Sequence, residues 1–359
     1  MHLSGHPKRV FAKYALIGGA ILLVVYLVGF SNLFASEYLS AAADMPEKFF
    51  PLPTLNKAEY DARVYALARV STSTLAAEAL SSTTPARLWP PKTAYPEAGA
   101  ILPFKRIIAS YGNYYSKQMG VLGEYPSDQM LAMLQAEVKR WEAADPTTPV
   151  VPALEYIVVV AQESAGRNGK YILRMPDDQV DKTLELAKKI NAIVFLDVQV
   201  GLSDVQTEIP MLEPYLKMPN VHLAIDPEFS MKTGHRPGTV IGTSDAADIN
   251  FTAQYLAKLV REHHLPPKVL IVHRFTDEMV TRYEKIQPLP EVQIVVNMDG
   301  WGSQAKKKGT YNRVVAPEPI QFTGLKIFYH ADLKKPSTGL LTPEEVLSLT
   351  PIPIYIQYQ

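Results

Sequence analysis

Two carboxylates separated by a proline, Asp226-Pro227-Glu228, close a short apolar run at residues 221–225. On an extended strand, positions i and i+2 share a face, with Cα atoms roughly 6 to 7 Å apart. Pro227 cannot donate to a ladder, so it marks the point where a strand gives way to a loop. Two acids at the end of a buried strand suit general acid/base chemistry, because proximity pushes their pKa values apart. A blander role for the same residues is a helix-capping aspartate beside a surface glutamate.

The surrounding chain repeats this arrangement. From Phe104 onward, short apolar runs alternate with segments of helical spacing, the pattern of βα units and a parallel sheet. Eight strands are expected, at residues 106–110, 150–156, 192–198, 221–225, 268–273, 292–298, 324–329 and 352–358. Helices are expected at 127–144 with Ser127 as N-cap, at 176–191, at 244–264, and from Thr342-Pro343-Glu344-Glu345, a capping box with proline in the first turn. Eight strands in about 255 residues predict a (β/α)8 barrel of the TIM type, lacking a final outer helix. No Gly-rich phosphate loop is present, which argues against an open nucleotide-binding sheet.

Active sites of such barrels lie at the C-terminal strand ends. Those ends carry Tyr111, Glu155, Asp197 with Gln199, Asp226 with Glu228, His273, Asp299 with Trp301, Lys326 with Tyr329, and Tyr358. Acids and amides bind hydroxyls, and aromatic rings offer stacking faces, so the set points to a carbohydrate ligand. The expected roles are catalysis for Glu228 and Asp226 and substrate binding for the others. No metal site is expected from motif spacing, since the adjacent His263 and His264 fit neither H-x-x-x-H nor H-E-x-x-H. No cofactor is expected either.

Composition narrows the classes further. A net charge of zero and no basic block longer than Lys306–Lys308 give no reason to expect a nucleic-acid partner. The absence of cysteine rules out disulfides, thiolate metal sites and a thiol nucleophile. Residues 1–13 carry Lys8, Arg9 and Lys13, and residues 14–34 then run 21 positions without a charge, long enough to span a bilayer. That asymmetry places the N-terminus in the cytoplasm and predicts a membrane-anchored protein whose bulk is extracytoplasmic. Residues 35–103 read as a Pro-rich tether with a short helix near 58–70, and 104–359 as the barrel. The 58–70 helix is expected to take the place of the missing outer helix.

Asp226-Pro-Glu228 resembles the second half of the D-x-x-D-x-D-x-E strand of chitinase-type barrel glycosidases, and the Asp-x-Glu of a lysozyme family of the same layout. The resemblance implies a general acid at Glu228 and a substrate-orienting carboxylate at Asp226, with Asp299 where the chitinases carry a strand-six aspartate. The two earlier carboxylates of that motif fall on Val221 and Ala224. Residues 106–359 are also similar to a set of envelope-associated bacterial barrel proteins, through Tyr111-Gly112, Leu122-Gly123, Pro152-Ala-x-Glu155, Asp197-x-Gln199, Asp226-Pro-Glu228, Asp299-Gly300 and Tyr358-Gln359. That likeness implies fold and location and no reaction. The resulting expectation is a glycoside hydrolase-like enzyme acting on an envelope or extracellular polysaccharide. The alternatives are a non-catalytic glycan-binding barrel and a metal-dependent hydrolase using Glu155, Asp197, Asp226, Glu228 and His273.

Overall fold

The computed structural model describes residues 54–71 and 87–359. Eight parallel strands run in chain order: β1 (Arg106–Gly112), β2 (Val150–Ala161), β3 (Ile193–Val198), β4 (Val221–Ile225), β5 (Lys268–Arg274), β6 (Val292–Met298), β7 (Phe322–Ile327) and β8 (Tyr355–Tyr358). Each pairs with the next, and β8 closes the ring on β1 with Ile107 opposite Tyr355. This is a TIM-type α/β barrel. Its strands are buried on both faces, so they are largely apolar and show no strict alternation of apolar and polar residues. Only β2 departs from the plain pattern. It runs 12 residues, and its last part pairs antiparallel with Ile172–Arg174.

Helices α1 (Lys57–Leu67), α2 (Ser127–Ala144), α3 (Asp177–Lys189), α4 (Ala246–His263), α5 (Gln304–Thr310) and α6 (Pro343–Leu347) supply most of the α-helical residues. Pro126, not Ser127, occupies the N-cap of α2, and no side chain caps that end. Proline fits there because it brings no N–H to satisfy. At α4, Asp245 accepts the Ala247 N–H at 2.9 Å while Asp248 accepts the Asp245 N–H at 2.7 Å. The Thr342–Glu345 capping box forms as its spacing predicts, each side chain accepting the other's backbone N–H.

The short N-terminal helix does not stand in for an outer helix. Tyr60 of α1 is 5% exposed and joins Ile107, Phe195, Ile271, Val295 and Tyr355 in the apolar cluster inside the barrel. Leu102 and Phe104, just before β1, pack with it, so α1 seals the barrel at the N-terminal ends of the strands. Gln293 fixes the adjoining loop, accepting the Ile101 and Leu102 N–H groups and donating to the Leu102 carbonyl. The described residues form one compact unit, with Trp89 donating to the Ala316 carbonyl at 2.6 Å. The expected membrane anchor, residues 14–34, lies outside the described residues. Among the described residues no helix is long and apolar enough to cross a membrane.

Candidate active site

β4 stops at Ile225, and Pro227–Phe229 form a single 3-10 turn. Asp226 caps that turn, its Oδ1 accepting the Glu228 N–H at 3.0 Å. The two acids are therefore not an i, i+2 pair on an extended strand; the proline starts a tight turn one residue early. The capping role and the site role coincide in Asp226. Gly242 holds the turn from the other side by donating to the Glu228 carbonyl at 2.6 Å. A Cβ at Gly242 would lie 2.6 Å from the Pro227 oxygen, so only glycine allows this approach.

A cavity of about 470 Å³ opens at the C-terminal mouth. Tyr111, Gln199, Asp226, Glu228, Asp299, Trp301 and Lys326 all line it, from the ends of five strands or the loops just beyond. Phe229, Phe275 and Phe328 supply apolar walls. Trp301 is half exposed at 51%, with Lys306 4.7 Å from its ring centre. The Trp301 loop is pinned from below, since buried Lys307 donates to the Gly300 carbonyl at 2.9 Å and pairs with Asp332 at 3.0 Å. Lys326 lies 3.6 Å from the Tyr111 ring centre, a cation held over an aromatic face.

Glu155, Asp197 and His273 sit lower, fully buried beneath the cavity floor. Glu155 is deep because β2 continues past it to Ala161. His273 Nε2 lies 3.1 Å from Glu155 Oε1 and 3.9 Å from Asp197 Oδ1, and its Nδ1 lies 3.2 Å from Asp299 Oδ2. The second oxygens are held by phenols: Tyr111 donates to Asp197 Oδ2 at 2.8 Å, and Tyr355 donates to Glu155 Oε2. Gln199 donates to Asp226 Oδ2 at 3.3 Å, and Gln357 and Asn297 extend the network across the barrel.

Burial and crowding set the protonation of this array. Burial, then the neighbouring Asp299 carboxylate, push Glu228 up to about 7 against the opposing pull of Lys326 and His273. Burial lifts Asp226 well above the usual carboxylate range, and Glu228 and Asp197 add to the lift while His273 opposes it. Burial likewise raises Asp197 to about 6 despite His273. For His273 burial disfavours the charged ring, but Asp299 and Glu155 outweigh it and the pKa rises well above the ordinary value. Burial and the adjacent acids keep Tyr111 and Tyr355 protonated as donors.

Two of the expected binding residues are elsewhere. Tyr358 faces outward from β8, accepting from Trp141 of α2 at 2.9 Å, and Tyr329 stacks on it at 5.4 Å with its hydroxyl 3.3 Å from Glu137. Both belong to the layer between barrel and helices. On a strand buried on both faces nothing in the residue pattern tells inward from outward, and Tyr358 has the outward parity. Tyr355 and Gln357 are the inward pair, and Gly324 makes room for them: a Cβ there would meet Asn297 Oδ1 at 2.8 Å and the Tyr355 ring at 2.9 Å. A glycine in the middle of β7 was the available signal.

No family model matches the chain, and no curated protein matches it. Among solved structures it is similar to a cellulase at 13% identity, over 62% of this chain and 65% of that one, with a TM-score of 0.35. A ruminal GH26 endo-beta-1,4-mannanase is similar at 10% identity, over 71% of this chain and 58% of that one, with a TM-score of 0.33. The cellulose synthase subunit Z of Clostridioides difficile is similar at 7% identity, over 71% of this chain and 92% of that one, with a TM-score of 0.34. Similarity at this level defines neither a family nor a reaction.

Proposed function

We propose that the chain is a glycoside hydrolase-like enzyme, anchored through residues 14–34 and acting outside the membrane on an envelope or extracellular polysaccharide. The observation that carries this reading is the mouth of the barrel: a half-buried Glu228 whose pKa is raised to about 7 by burial and Asp299, above a floor of further carboxyls and between aromatic walls. A carboxyl that stays protonated near neutral pH can donate to a glycosidic oxygen, and neighbouring carboxylates can stabilise the positive charge that develops on the sugar ring. In this scheme Glu228 is the acid and Asp226 orients or stabilises, with Asp299 beside them. Gln199, Lys326 and Trp301 bind substrate hydroxyls and ring faces.

Glu228→Gln keeps size and hydrogen bonding but removes the proton. Turnover of a susceptible glycan fragment should fall by about 10²- to 10⁴-fold, while the Kd for that fragment changes little. Equal losses in turnover and binding would rule out an acid role. One observation favours a non-catalytic binding barrel instead: Ala224, where the chitinase-type strand carries an acid, lies in the apolar inner cluster. Tight oligosaccharide binding without hydrolysis in the unmodified chain would identify that case.

A further inference from the structure

The buried trio under the cleft has a geometry that the acid role of Glu228 leaves unused. Glu155 on β2, Asp197 on β3 and His273 on β5 each turn one ligand-type atom toward a common point, and the three atoms lie within 4.8 Å of one another. The far oxygens of both carboxylates are held from outside, Glu155 Oε2 by Tyr355 and Asp197 Oδ2 by Tyr111, while Asp299 Oδ2 lies 3.2 Å from His273 Nδ1 at charge-pair distance without an aligned hydrogen bond. A histidine whose far nitrogen faces a carboxylate, with its near nitrogen turned inward, is the usual support for a metal ligand, because the carboxylate fixes the tautomer and raises ligand basicity. Asp197 Oδ1 is fully buried, has no hydrogen-bond partner and points into the same space as His273 Nε2. An orphaned buried carboxylate oxygen is costly unless something positive reaches it.

We propose that Glu155 Oε1, Asp197 Oδ1 and His273 Nε2 form a three-ligand site for a divalent first-row transition ion such as Mn²⁺, Fe²⁺ or Zn²⁺. Two carboxylates and one imidazole suit these ions better than Ca²⁺ or Mg²⁺, which prefer all-oxygen shells, and the lack of cysteine removes the thiolate alternative. Metal bonds of about 2.1 Å set ligand atoms about 3.4 Å apart in a tetrahedral site; Glu155 Oε1 is already 3.1 Å from His273 Nε2, so binding mainly draws in Asp197 Oδ1, now at 3.9 Å. Asp226, Glu228 and Asp299 lie just above, so the ion would sit in surroundings rich in carboxyl groups. An ion would enter from the cavity above, past Asp226, Asp299 and Tyr111, which line it. No short motif announces the site, because its ligands come from three separate strands. It stands independently of the glycosidase reading, since it rests on residues below the cleft lining and is tested by binding, not turnover.

The test uses the full chain, purified in detergent without a histidine tag, stripped with a chelator and titrated calorimetrically with Mn²⁺ and Zn²⁺. Co²⁺ loading is followed by its visible absorption. One saturable equivalent is expected in the unmodified chain, with the Co²⁺ bands lost in His273→Gln and Glu155→Gln. Tyr355→Phe removes only a supporting hydroxyl and should weaken binding by about 10- to 100-fold; it keeps the test decisive where the ligand variants do not fold. His330→Ala disrupts the exposed Glu124–His330 pair and should leave binding unchanged. Absence of a saturable equivalent overturns the proposal, as does undiminished binding in both His273→Gln and Tyr355→Phe, or loss of binding in His330→Ala.

Discussion

Glu228 is distinguished from the other acids at the mouth by being both reachable and hard to ionise. Its neighbours determine the pH at which that ends. Burial and the Asp299 charge disfavour the carboxylate form and raise the pKa to about 7, so the proton is held below that pH and lost as pH rises through it. An enzyme that needs the acid form should therefore lose kcat/KM on the alkaline side, with an apparent pKa near 7. Asp299→Asn removes one of the two causes of the rise. Its alkaline limb should move to lower pH, and a limb that stays in place would show that another group is titrating. Asp226 is a poorer donor candidate despite its own raised pKa, because it is buried and both of its oxygens are already accepting, from the Glu228 N–H and from Gln199.

Among the elements, α1 offers the sharpest test of how the barrel is closed. Its Tyr60 ring packs into the interior cluster and sits edge-on to Tyr95 at 5.5 Å. Tyr60→Ala should cost about 3 kcal/mol in urea denaturation, in the range for large core aromatics cut to alanine. Met211→Ala, at a residue 56% exposed, should stay within about 0.5 kcal/mol. A Tyr60→Ala loss as small as that would mean α1 merely rests on the barrel. The elements also show what residue order can and cannot reveal. Most strands could be read as largely apolar runs, because a strand covered on both faces sends side chains into packed layers on either side, although β7 at Phe322–Ile327 lies earlier than the expected 324–329. Asp226, Glu228, Asp299 and Lys326 could be placed at one mouth because parallel strands bring their C-terminal ends together. Depth and parity were not legible. Glu155 lies below the rim because β2 overruns it, and Tyr358 faces α2 because a doubly buried strand hides its inward face. The service of α1 as a plug depends on long-range contacts that its own spacing does not encode.

For the whole molecule, we propose that the uncharged run at 14–34 is a membrane anchor, and the side on which the barrel then works bears on substrate class. We propose an extracytoplasmic barrel, on the charge asymmetry of the chain's first part. Lys8, Arg9 and Lys13 precede the uncharged run at 14–34, and the next charged residue after that run is the acidic Glu37. Basic residues flanking a span are retained on the cytoplasmic side, and acidic ones contribute little. A polysaccharide substrate at the envelope is consistent with that orientation, whereas a cytoplasmic barrel would meet different glycans. Alkaline phosphatase fused after Gln359 is active only outside the cytoplasm and so reports the side directly. High phosphatase activity is expected for the unmodified chain, sedimenting with the membrane fraction through alkaline carbonate washing. Replacing Lys8, Arg9 and Lys13 with glutamine should lower the phosphatase signal, since the retaining charge is gone. An inactive fusion on the unmodified chain, with normal expression, would put the barrel inside and remove envelope polysaccharides from its possible substrates.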